Sequence, residues 1–220
     1  STGINMKKAF TMIELVFVIV VIGILAAVMI PRTDSNRLQE AAIQLVSHIR
    51  YTQHLAMVDD KFDANDDEWY KSRWQIRFTP GTIASHGEVA YAIFSDFVGT
   101  HSGHPEEQEL AIDPQSGQLI TGGVTNGVTY DDDNVFHAAN LGLNYGVETI
   151  SLSSSCKVGT SLRIAFDYLG RPMKGNLSGY DNSYDDVDNL IQTRCEIVLS
   201  GNNDSATIAI EAETGYAHIL

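Results

Sequence analysis

Apolar residues run almost without interruption from Phe10 to Ile30, in the stretch FTMIELVFVIVVIGILAAVMI. Its 21 residues contain one charge, Glu14. At a helical rise of about 1.5 Å per residue, the stretch reaches across about 30 Å, the hydrocarbon thickness of a bilayer. It has no polar face, so a helix here is suited to lipid or to other helices rather than to water. The pattern changes after Pro31, a residue that stops or kinks a helix. Leu38, Ala41, Ala42, Leu45, Val46, Ile49 and Ala56 recur at helical spacing, with Arg37, Glu40, Gln44, Ser47 and Arg50 between them. This predicts an amphipathic helix from Ser35 to Val58, with Ser35 as its N-cap and its apolar stripe packed under a sheet. His48 and His54 fall off that stripe and read as solvated.

From residue 59 the period shortens. An acidic, turn-rich connector (residues 59–71) leads to alternating strands at Trp74–Thr79 and Val89–Phe94, which read as a hairpin. Residues 96–118 are polar and read as a long loop; residues 119–130 are Gly-rich and β-prone. Further strands are predicted at Thr149–Leu152, Ser161–Asp167, Arg194–Ser200, Ala206–Glu211 and Tyr216–Ile219, with hairpin turns at 201–204 and 213–215. The fold class is α+β: a long N-terminal helix, first membrane-type and then amphipathic, packed on one antiparallel β-sheet head. No second hydrophobic core and no internal repeat stand out. The expected divisions are a leader at 1–9, an apolar helix at 10–30, its amphipathic continuation at 31–58 and a β-rich head at 59–220.

Lys7 and Lys8 precede the apolar stretch, and positive charge flanking a span marks the cytoplasmic side, so the head is expected outside the inner membrane. A secretory signal peptide has a shorter apolar region ending in a small-residue cleavage site; here the run is longer and leads into Ile30-Pro31-Arg32. Glu14 is the anomaly, because a carboxylate in an apolar span is unfavourable by a few kcal/mol unless paired. If the chain is cut before Phe10, the new α-amino group lies one helical turn from this carboxylate, and a neighbour's amino terminus could neutralise it. The plainer reading is a glutamate that snorkels to the headgroups.

The run Lys7-Lys8-Ala9-Phe10-Thr11-Met12-Ile13-Glu14-Leu15 resembles the cleavage and methylation signature of type IV pilins and type II secretion pseudopilins. Ala9 stands where that family usually has Gly. The resemblance implies cleavage between Ala9 and Phe10 by a prepilin peptidase, N-methylation of Phe10, and assembly through Glu14 and Thr11. It implies other pilins or pseudopilins and an inner-membrane assembly platform as partners, with single-pass anchoring followed by assembly into a filament. In the head, Trp74-Gln75-Ile76-Arg77-Phe78, Phe166-Asp167-Tyr168-Leu169-Gly170-Arg171-Pro172, Ile208-Ala209-Ile210 and Thr214-Gly215 resemble GspH/FimT-type minor pseudopilins. The expected function is that of a minor pseudopilin. The alternatives are a major type IV pilin, a DNA-uptake minor pilin, or a non-polymerising membrane-anchored enzyme or binding protein.

Charge and chemistry narrow this further. The net charge is −14, and three of the fourteen basic residues flank the apolar stretch. An exported part this acidic lacks the Lys/Arg clusters that nucleic-acid binding needs, and the tail 212–220 has no Lys or Arg. Cys156 and Cys195 form an even pair in a chain expected in an oxidising compartment, which favours a disulfide over two unrelated buried thiols. No HExxH, GxSxG, P-loop or GxGxxG motif occurs, so no enzyme is expected. His101 and His104 have a metal-like spacing without two further ligands and read as solvated. Asp181, Asp185, Asp186 and Asp188 supply the hard oxygens that calcium prefers, without EF-hand spacing; the alternative is a solvated acidic loop.

Overall fold

The computed structural model describes residues 11–29, 33–124, 127–183 and 189–220. The chain divides into two compact units, Ser1–Thr33 and Asp34–Leu220. In the first, helix α1 runs from Met12 to Met29. Its 18 residues rise about 27 Å. Among the described residues no helix is long and apolar enough to cross a membrane. The expected 21-residue span is thus only partly described, since Phe10 and Ile30 lie outside the described residues.

All of α2 (Thr33–Val58) but Thr33 belongs to the second unit; the helix starts two residues before Ser35, so Ser35 lies inside its first turn rather than at the cap. Leu38, Ala41, Ala42, Leu45, Val46, Ile49 and Ala56 are its buried face. They share one core with Ile76, Phe78, Ile93, Ile164 and Phe166 from one sheet, and with Ile150, Ile197, Leu199, Ile208 and Ile210 from another.

Among the described residues there are two four-stranded antiparallel sheets where one was expected. The first contains β1 (Trp74–Thr79), β2 (Ala90–Ser95), β4 (Arg163–Phe166) and β5 (Pro172–Lys174), in the order β2-β1-β4-β5. The second contains β3 (Thr149–Leu152), β6 (Cys195–Gly201), β7 (Asp204–Ile210) and β8 (Ala217–Ile219), in the order β3-β6-β7-β8. Alternation alone does not reveal this division, because strands of both sheets offer an apolar face to the same helix. β6 and β7 pair from Cys195↔Ile210 to Gly201↔Asp204 across the two-residue loop Asn202-Asn203. Both loop residues have positive φ, 46° and 63°, the conformation that matches the twist of a tight hairpin.

Side-chain bonds fix α2 to both sheets. The Arg50 guanidinium donates to the Ala217 carbonyl from Nε (3.0 Å) and Nη2 (2.7 Å). Gln53 Nε2 donates to the carbonyls of Gly170 (2.8 Å) and Thr214 (2.7 Å), so the turn after β4 and the turn before β8 converge on one amide.

The segment 96–140 is not a free polar loop. It is bridged along β2 at Phe94↔Leu110, Ala92↔Thr121 and Ala90↔Asn140. Leu110, Val124, Val128 and Val135 cover Ala90, Ala92 and Phe94 in a second, smaller apolar cluster, which explains why every residue of β2 is buried. That cluster corrects the expectation of a single core. The sequence hides it because its members are spread singly among Gly, Asp and Asn. A short helix, α3 (Leu141–Tyr145), capped by the Asn140 side chain, follows this segment.

Candidate functional site

The most distinctive chemistry lies at the start of α1. Thr11 precedes the first helical residue, and Glu14 is the third residue inside. The Thr11 backbone N–H donates to Glu14 Oε2 at 2.9 Å, and the Glu14 N–H donates to Thr11 Oγ1 at 3.4 Å. This reciprocal pair is a capping box, which satisfies two donors that a helix N-terminus otherwise leaves open. The Thr11 hydroxyl donates to the same Oε2 at 2.8 Å. Glu14 Oε1 has no partner among the described residues. The lone carboxylate of the apolar stretch is therefore half used by its own helix and half available. Ala9 and Phe10, the expected cleavage and methylation residues, lie outside the described residues.

Around this carboxylate the helix surface is bare. The large apolar side chains from Met12 to Leu25 are exposed over 37% (Val21) to 87% (Met12) of their surface. Contiguous apolar exposure of this extent marks a surface that meets lipid or protein.

The other expected sites have different fates. Cys156 and Cys195 form a disulfide, with Cα atoms 5.3 Å apart and a sequence separation of 39. It ties the turn after β3 to the first residue of β6, two strands that are already paired. Asp185, Asp186 and Asp188 lie outside the described residues; Asp181 is described and exposed. Among the described residues no cluster of three His, Cys, Asp or Glu could hold a metal ion.

Two histidines read as solvated are buried. His48 is 4% exposed, its Nδ1 2.7 Å from the Tyr91 hydroxyl and its Nε2 3.8 Å from Asp113 Oδ1. Burial pushes its pKa down to about 4 against the opposing Asp113 charge, so the ring is neutral and the approach to Asp113 is not an ion pair. His101 is 8% exposed, with Nδ1 2.6 Å from the Asp96 carbonyl. His104 lies beside Arg77, ring Nδ1 to Nη1 at 2.9 Å. The two rings thus serve different local contacts.

Asp167 and its neighbours, singled out by pattern, have a structural explanation. The buried Asp167 carboxylate accepts from the N–H groups of Leu169 (3.0 Å) and Arg171 (2.8 Å) and from Arg171 Nε (2.7 Å). It thereby shapes the turn from β4 to β5.

Residues 4–30 match the family described as the prokaryotic N-terminal methylation motif. The chain thus carries the prepilin-type signature of type IV pilins and pseudopilins, and Ala9, Phe10, Thr11 and Glu14 all fall within the matched residues. No curated protein and no solved structure matches the chain.

Proposed function

We propose that this chain is a pilin-like structural subunit, a minor pseudopilin of a type II secretion pseudopilus or type IV pilus, rather than an enzyme. A prepilin peptidase removes residues 1–9 and methylates Phe10. Helix α1 holds the subunit in the inner membrane with the head outside, and then passes from lipid to a bundle of like helices in the filament. The observation that supports this most is the combination at the start of α1: a helix apolar on every side, with a single carboxylate whose Oε1 is unpaired among the described residues. In a medium that excludes water, that oxygen favours a cationic partner. The freed α-amino group of an adjacent subunit supplies one. The likeness of the head motifs to GspH/FimT-type subunits supports the minor-pseudopilin reading over a major pilin, and a tail without Lys or Arg argues against a DNA-uptake role.

Mass spectrometry of the protein recovered from cells tests processing: a mature chain beginning with N-methyl-Phe10 is expected, and one that still contains Ala9 overturns the proposal. Glu14→Ala tests assembly. The filament reading expects loss of incorporation with the head still folded, whereas a simple anchor would tolerate the change.

A further inference from the structure

The outer face of the first sheet carries an unusual pair. Arg77 of β1 and Arg163 of β4 are directly opposite in the antiparallel register. Their chain neighbours Ile76, Phe78 and Ile164 belong to the core beneath α2, so both arginines project from the other face. Like charges directly opposite across two strands are destabilising. Both guanidiniums are also partly dehydrated: burial lowers the pKa of each, and for Arg163, brought to about 10, the Arg77 charge is a second cause.

A chain of net charge −14 has carboxylates to spare, yet this pair has none at ion-pair distance among the described residues. Arg171 and Arg194 do hold carboxylates, Asp167 and Glu211. Arg163 instead donates from Nη1 to Asn176 Oδ1 at 2.8 Å, and Arg77 Nη1 meets the His104 ring. Asp96, whose charge acts on Arg163 from farther off, already accepts the Gly103 N–H at 2.6 Å. The two arginines line a cavity of about 390 Å³ together with Val158, Thr160, Ser161 and Asn176. The Ser161 hydroxyl oxygen is buried and has no hydrogen-bond partner among the described residues. A buried hydroxyl without a partner and two opposed cations without an anion are each unfavourable alone. One ligand relieves both.

We propose that this cavity binds a compact oxyanion, held by the forked guanidiniums of Arg77 and Arg163 and by a hydrogen bond from the Ser161 hydroxyl. Planar guanidiniums match the oxygen spacing of carboxylate and phosphate alike. The oxyanion is either a dissolved phosphate-type ion or the carboxylate of an acidic side chain on an adjacent subunit. The residues of the site belong to the head alone, and only a neighbour's carboxylate as occupant rests on the assembly proposed above.

The test is titration calorimetry and thermal melting of the full chain in detergent, with inorganic phosphate and with acetate, each matched in ionic strength by chloride. Saturable binding is expected, with a melting temperature raised by about 2–4 °C near saturation. Arg77→Gln and Arg163→Gln are expected to weaken binding at least tenfold, and Ser161→Ala by a smaller factor. A preference for phosphate assigns a dissolved ion, and a preference for acetate assigns a neighbour's carboxylate. In anion-free buffer Arg77→Gln should melt at or above wild type, because one of two opposed charges is gone. No saturable response to either anion, the same response in the arginine variants, or a lower anion-free melting temperature for Arg77→Gln overturns the site.

Discussion

At Glu14 one carboxylate meets two demands. Through Oε2 it closes a capping box with Thr11, which satisfies donors that the helix N-terminus otherwise leaves open. Its other oxygen is left for a partner outside the helix. His48 is the contrasting case, a titratable group that the fold keeps uncharged. Its folded pKa, about 4, lies below the ordinary 6.5, so between those values the unfolded chain binds more protons than the folded one. Stability from this residue is complete above pH 6.5 and is lost as pH falls toward 4. The loss approaches about 3 kcal/mol at the acid end. Asp96 and Glu109, whose pKa values burial raises, act in the opposite direction, gaining stability as pH falls. They are common to wild type and His48→Gln, so the difference between the two reports the histidine together with its coupling to Asp113. Urea unfolding at pH 7 and pH 4 should show the wild type losing about 2–3 kcal/mol more than His48→Gln. Parallel losses would mean that His48 is protonated in the folded protein.

Among the elements, α2 and the hairpins were readable from periodicity because each turns a single face to one core. All seven residues of the helical stripe are buried, and β6 alternates buried and half-buried along its length. What escaped is what depends on distant partners: the division into two sheets, the short strand β5 that starts on Pro172, and the apolar cover that segment 96–140 lays over β2. His48 was misjudged for the same reason, since nothing local foretells that Tyr91 lies beside it, and the Arg77–Arg163 pairing required the β1–β4 register. The signature at 4–30 was legible because its chemistry is contiguous. Gly215 shows how a turn motif acquires meaning only in the fold. Its φ is +65°, and a Cβ there would collide with the Gly170 carbonyl and the Gln53 amide. Gly159 also has a left-handed φ, +57°, but faces open space. Gly159→Ala should therefore cost about 1 kcal/mol of backbone strain. Gly215→Ala should cost at least about 1–2 kcal/mol more, because the Gln53 link between α2 and the last hairpin must give way. Equal losses in chemical denaturation would show that the Gln53 contact adds nothing.

For the molecule as a whole, two units carry opposite surface chemistry. The described part of α1 exposes apolar side chains on all sides, whereas the second unit buries its core and carries nearly all of the acidic residues. Such a chain is stable as a lone species only with its first unit covered. The second unit has the internal means to stand on its own: a core drawn from a helix and two sheets, and a crosslink. In the chain-entropy view, closing a loop of about 40 residues contributes roughly 4 kcal/mol.

That crosslink also records where the chain has been. Reducing cytosols keep thiols unpaired, and disulfides form and persist in oxidising compartments. Protein taken from cells, unfolded without reductant and treated with a maleimide should take up no label if it was translocated, and two labels per chain if it was retained. Sulfur oxidation state thus gives a sidedness assay that requires no tag, no protease and no knowledge of what the protein does outside.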